Sequence, residues 1–116
     1  MIFPPPSSKL EEELPEAAID RTTYPPYRLV WCLEVFDKKD EHLVAEIALE
    51  NFDVRALRKI YRRPPSNPMI GGGWPVTGRY RHQVEMLTAR KLKLKQYTYF
   101  VAASALNYWE VNQTND

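Results

Sequence analysis

Proton transfer near neutral pH needs histidine, and nucleophilic attack needs an activated thiol or hydroxyl; the chain offers His42, His82 and its single Cys32 for those roles. His42 lies in a polar run beside Asp40 and Glu41, and His82 lies among arginines. The two fall on different elements, and neither has a carboxylate at ligand spacing, so neither a general base nor a metal centre is expected. Cys32 falls within an alternating apolar run and reads as a buried strand residue. One cysteine also excludes an intrachain disulfide. Gly71-Gly72-Gly73 precedes a helix start, where backbone N–H groups can hold an anion. It matches neither the P-loop nor the dinucleotide spacing and it follows a helix, so nucleotide binding is not expected. No catalytic, cofactor-binding or metal-binding residue is assigned.

Cations are what the sequence concentrates. From Arg55 to Lys95 there are eleven Lys/Arg and one acid, Glu85, a net +10. Residues 1 to 54 carry five bases and twelve acids, a net −7, so the overall charge of +1 conceals a strong dipole. A dipole of this kind governs partners and association rates rather than fold. Three readings of the basic block stand: a solvated face, a surface for an acidic protein partner or the chain's own acidic arm, and a nucleic-acid surface. Interleaved Tyr61, Trp74 and Tyr80 suit the last, because aromatic rings stack on bases. The near-neutral total argues against it. The expected partner-binding residues are Arg58, Arg62, Arg63, Arg79 and Arg81, whose guanidinium forks match carboxylates, with Trp74 as an apolar anchor. Tyr24 and Tyr27 would add a second contact from the arm.

Those side chains need elements to place them. The 116 residues suit one small domain. Six of the ten prolines precede Tyr27 and four lie between Arg63 and Val76, marking two segments outside the core. Residues 1–26 read as a proline-rich acidic arm, either a disordered leader or a segment that folds onto the basic block or a partner. Tyr24-Pro25-Pro26-Tyr27 is expected to be extended. Residues 27–111 form the domain, and 112–116 fray.

Tyr27, Leu29, Trp31, Leu33 and Val35 alternate with Arg28, Val30, Cys32, Glu34 and Phe36. Past the polar turn 37–42, Leu43, Ala45, Ile47 and Leu49 alternate with Val44, Glu46, Ala48 and Glu50. This period of two predicts a β-hairpin. Asp53 is placed as an N-cap, with Phe52 and Leu57 at staple spacing, ahead of a helix whose inner stripe is Val54, Leu57, Ile60 and Tyr61. Pro64-Pro65 stops it. Residues 64–75 read as a glycine-rich hinge displaying Met69, Ile70 and Trp74, or alternatively with Trp74 tucked on the core. Thr77 is placed as the cap of a second helix with Tyr80, Val84, Leu87 and Lys91 inward and Met86 on its flank. Gln96 to Ser104 alternates as a third strand. Tyr108, Trp109 and Val111 give the C-terminal stretch something to pack.

The resulting order is β-β-α-α-β, an α+β two-layer domain with a three-stranded sheet and two helices on one face. The stretches Leu33-Glu34-Val35-Phe36-Asp37-Lys38-Lys39, Leu43-Val44-Ala45-Glu46-Ile47, Phe52-Asp53-Val54-Arg55-Ala56-Leu57-Arg58, Trp74-Pro75-Val76-Thr77 and Gln96-Tyr97-Thr98-Tyr99-Phe100 resemble an uncharacterised family of small bacterial cytoplasmic domains of that order. Domains of this look resemble immunity proteins, which neutralise a toxin by binding it. The resemblance implies a non-enzymatic cytoplasmic protein-binding module, an immunity or inhibitor protein or a small accessory subunit; the alternative is an RNA- or DNA-binding accessory protein using the same face. No signal peptide or membrane-spanning run is evident in the sequence.

Overall fold

The alternation of β-branched and aromatic residues in Leu29–Asp37 makes the central strand of an antiparallel sheet in the computed structural model, which describes residues 13–113. Five strands follow in chain order: β1 (Ile19–Asp20), β2 (Leu29–Asp37), β3 (Leu43–Ala48), β4 (Trp74–Pro75) and β5 (Tyr97–Ala105). Three helices accompany them: α1 (Val54–Ile60), α2 (Arg81–Thr88) and α3 (Tyr108–Val111). β2 pairs with β5 from Leu29↔Ala105 to Asp37↔Tyr97. Its other edge takes β1 at its start and β3 over Cys32 to Phe36. β4 adds to the outer edge of β5.

The three expected strands are therefore present, and the sheet gains two more. β1 and β4 are two residues each, too short for a period of two to show in the sequence. The sheet thus takes in residues ahead of Tyr27. Residues 1–12 of the arm and 114–116 of the C-terminus lie outside the described residues. Tyr24-Pro25-Pro26-Tyr27 is a turn rather than an extended run: Tyr27 N–H donates to the Tyr24 carbonyl at 3.0 Å, and the Pro25–Pro26 peptide is cis.

One face of the sheet makes the core. Leu29, Trp31, Leu33 and Val35 of β2 cluster with Tyr99, Val101, Ala103 and Ala105 of β5, and Leu57 of α1 and Val84 of α2 close over them. Burial of this apolar area is the main stabilising term, about 1.5–3 kcal/mol for each fully buried large side chain. Trp31 is 1% exposed, so its indole N–H needs an internal acceptor. Asp20 supplies it at 2.9 Å and also accepts from the Thr22 and Thr23 backbones at 2.9 and 3.1 Å. Burial pushes the Asp20 carboxyl up, but hydrogen bonds from Thr23, Trp31 and Thr22 outweigh it and hold the group below the usual range.

β3 departs from the expected alternation at one point. A register shift between Val35 and Phe36 sets Leu43 opposite Phe36. Ala45, Ile47 and Leu49 still join the core, whereas Leu43 and Val44 are 45% and 49% exposed. Asp53 caps α1 as expected, accepting from Arg55 N–H at 2.9 Å. Thr77 does not cap α2. Its carbonyl closes a turn onto Tyr80 N–H at 2.9 Å, and the helix begins at Arg81 with no side-chain cap. The helix starts three residues later than expected and ends at Thr88, so Lys91 lies beyond it; Leu92 is buried in the core instead, and Met86 is 73% exposed. Tyr108 packs against the core, and Trp109 is 72% exposed.

Candidate functional site

The C-terminus of α1 determines where its arginines point. Arg62 is left-handed, φ 53°, and Arg63 N–H reaches back to the Arg58 carbonyl at 2.9 Å while Arg62 N–H reaches Lys59 at 3.3 Å. That pair of bonds is the Schellman ending, with arginine where glycine is preferred. The chain turns sharply there, and Pro64 prevents any return to helix.

The loop that follows is fastened, contrary to the hinge expected for it. Arg58 Nε donates to the Asn67 carbonyl at 2.5 Å, and Asn67 Oδ1 accepts from Met69 N–H at 2.8 Å. Met69 is fully buried in the core rather than displayed. Trp74 is half-buried against the same core, and its indole N–H donates to the Met69 carbonyl at 2.8 Å. Gly73 lets β4 approach β5, since a Cβ there would meet Phe100 at 3.0 Å.

Three rings meet beneath the arginines. Tyr61 lies 5.2 Å from Trp74 and 4.4 Å from Tyr80 between centroids. Its hydroxyl donates to the Pro75 carbonyl at 2.7 Å, tying the end of α1 to β4. Burial, with Tyr80 adding to it, pushes the Tyr61 phenol up to about 12, so it serves as a neutral donor and not as a base or nucleophile. Arg63 lies over the Trp74 ring at 5.4 Å, and Arg79 over the Tyr80 ring at 5.5 Å. Each contact contributes about 0.5–1 kcal/mol at an exposed site and restrains a long side chain. A row results in the order Arg63, Trp74, Tyr61, Tyr80, Arg79, built from both helix ends and the strand between them.

The structure sorts the expected arginines into two sets. Arg62, Arg63 and Arg79 are exposed, and no ion pair among the described residues involves them. Arg58 and Arg81 are engaged by their own chain. Arg58 holds the loop, and Arg81 pairs with Glu85 at 3.6 Å. Glu85 also accepts from Leu92 N–H at 2.8 Å, which with Arg81 and Lys91 nearby holds its carboxyl below the usual range. Tyr24 and Tyr27 are not brought to this row. They stack on one another at 5.7 Å, Tyr27 stacks on Tyr108 at 6.4 Å, and Asn112 donates to the Tyr27 hydroxyl at 3.0 Å.

No acid–base pair accompanies the row. His42 is paired with Asp40 in the exposed β2–β3 turn, His82 is exposed on α2, and Cys32 is buried. Among the described residues no three His, Cys, Asp or Glu side chains are grouped to hold a metal, and no helix is long and apolar enough to cross a membrane. What the row can do is present planar donors on an apolar base, the chemistry of carboxylate or phosphate recognition. The row itself was hidden in the sequence, because Tyr61 and Tyr80 lie on either side of a loop whose course no local pattern reveals.

No curated protein matches the chain in sequence. One family profile does, over residues 30–102, a span that contains α1, the fastened loop, Trp74, α2 and every arginine of the row. The chain belongs to that family, described as Domain of unknown function (DUF7683).

Proposed function

We propose that the protein is a non-enzymatic binding module that occupies an acidic surface of a protein partner in the cytoplasm, as an immunity or inhibitor protein or a small accessory subunit does. One observation carries this reading: three exposed arginines lack an ion pair among the described residues, and two of them, Arg63 and Arg79, are held on a fixed aromatic row. Arg62, Arg63 and Arg79 make the polar contacts, and Trp74 supplies the apolar anchor. Arg58 and Arg81 act indirectly, by bracing the loop and α2. Truncating an anchor of this type typically costs about 2 kcal/mol or more in binding.

The competing reading is RNA or DNA binding through the same face. The row disfavours it, because the Trp74 and Tyr80 rings are half-buried and each has an arginine laid over it, leaving little free ring for a base.

An affinity capture from the native host tests the reading. One stoichiometric protein with an acidic surface is expected, lost on Arg62→Glu with Arg79→Glu. Retention of that capture by the double variant would remove the proposed face. Tight retention on a nucleic-acid column, falling steeply with salt, would favour the competitor instead.

A further inference from the structure

The other face of the sheet has been left without a role. The register puts Glu34, Phe36, Glu46 and Phe100 on that face, with Leu43 and Val44 at the bulge beside them. Phe36 and Phe100 meet edge to face at 5.7 Å, and both are half-buried. Leu43 and Val44 are among the four large apolar side chains that stand exposed. Within this apolar ground Glu34 is directly opposite Glu46 across the β2–β3 ladder. Like charges at that position oppose each other. No ion pair among the described residues reaches either carboxylate. Burial and the Glu46 charge push the Glu34 carboxyl above its usual range.

The two faces are complementary. One presents apolar ground with two uncompensated carboxylates, and the opposite layer presents an aromatic row that carries the uncompensated guanidiniums of Arg63 and Arg79, with exposed Arg62 adjacent in the chain. Edge-to-edge pairing of β3 with its own copy is the poorer match, since Glu41, Glu46 and Glu50 would come together there. We infer that the protein associates with a second copy of itself head to tail, the Arg63–Arg79 aromatic row of one molecule, with the exposed Arg62, seated on the Glu34–Glu46 face of the next. This inference rests on the row being a docking face, and it names a partner for it when no other is bound. A heterologous contact leaves one unused face of each kind, so association continues past two copies.

Sedimentation velocity on the full chain tests this. At low salt the mean mass should rise with concentration beyond a dimer, and high salt should return it to a monomer. Two variants, Glu34→Gln with Glu46→Gln and Arg62→Glu with Arg79→Glu, should each be monomeric while keeping wild-type circular dichroism. Mixed in equal amounts they should form a one-to-one complex and nothing larger, because each retains the face that the other has lost. A monomeric wild type, self-association of either variant at the wild-type level, or a mixture that does not combine would each overturn the inference. If self-association is absent while the arginine variant still loses capture of the host partner, the inference fails and the proposed function stands.

Discussion

Asp20 and Glu34 are both half-buried carboxylates on strands that pair with each other, and their titrations shift in opposite directions. Burial raises both. Asp20 then receives hydrogen bonds from Thr23, Trp31 and Thr22, which more than cancel the effect, whereas Glu34 meets only the charge of Glu46. Burial alone does not determine the fate of a charge; the donors arranged around it do. The same distinction divides the arginines. Arg58 and Arg81 are satisfied by their own fold, while Arg63 and Arg79 are held by nothing stronger than a ring face and Arg62 is exposed without an ion pair among the described residues. Groups that the fold satisfies hold the molecule together, and groups that it leaves uncompensated are where a second molecule gains most by docking.

The largest effect is expected at the satisfied end. Asp20→Ala orphans the buried Trp31 indole N–H and releases the turn at Thr22 and Thr23, which should cost about 3 kcal/mol of stability. Because the folded carboxyl titrates below the usual aspartate range, its contribution is complete above that range and is lost as pH falls through the folded value. Urea titrations should therefore show the wild type losing stability in acid over a window where Asp20→Ala, already lacking the term, changes less. A loss well under ~1 kcal/mol in the variant at neutral pH would break the contrast with Glu34.

Much of this architecture can be read from residue pattern, because it depends on local periodicity. The alternation from Leu29 to Val35 marks β2, and Asp53 with Phe52 and Leu57 marks the start of α1. What escapes is whatever depends on a backbone atom far along the chain. Arg58 reads as an outward, partner-binding cation because its acceptor, the Asn67 carbonyl, has no side-chain signature. Met69 reads as displayed because it lies in a glycine- and proline-rich stretch, yet the fastening of that stretch carries it into the core. Leu43 follows the inner period of β3, but the bulge rotates it outward. The arginine–aromatic row combines both cases: each member was a candidate by type, and their order in space came only from the course of the loop.

At the uncompensated end the sign reverses. Glu34→Gln removes one of two opposed charges and should stabilise the protein by about 0.5–1 kcal/mol near neutral pH. The charged groups facing it are Glu46 from β3 and none from β5, where Phe100 and Thr98 flank it. A carboxyl raised in the folded state is a liability above its folded value, and the liability fades as protonation sets in on the way down. The advantage of Glu34→Gln over the wild type should accordingly shrink in acid, opposite to the trend at Asp20. An advantage that stayed constant with pH would trace the gain to packing and not to charge.

The smallest effect separates strain kept for docking from strain that is incidental. Arg62 ends α1 and Ala89 ends α2, both in the left-handed region at φ 53° and 55°. That conformation costs a residue with a side chain roughly 1–2 kcal/mol. Glycine relieves the cost and gives back about half of it through its freer unfolded chain, so Arg62→Gly and Ala89→Gly should each gain about 0.5 kcal/mol in thermal unfolding. The two should part in function. Ala89→Gly should leave host-partner capture and self-association unchanged, whereas Arg62→Gly should weaken both while raising the melting temperature. A residue that makes the fold less stable and the contact stronger is kept for the contact; equal behaviour of the two variants in capture would mean that the left-handed arginine is an ordinary helix ending.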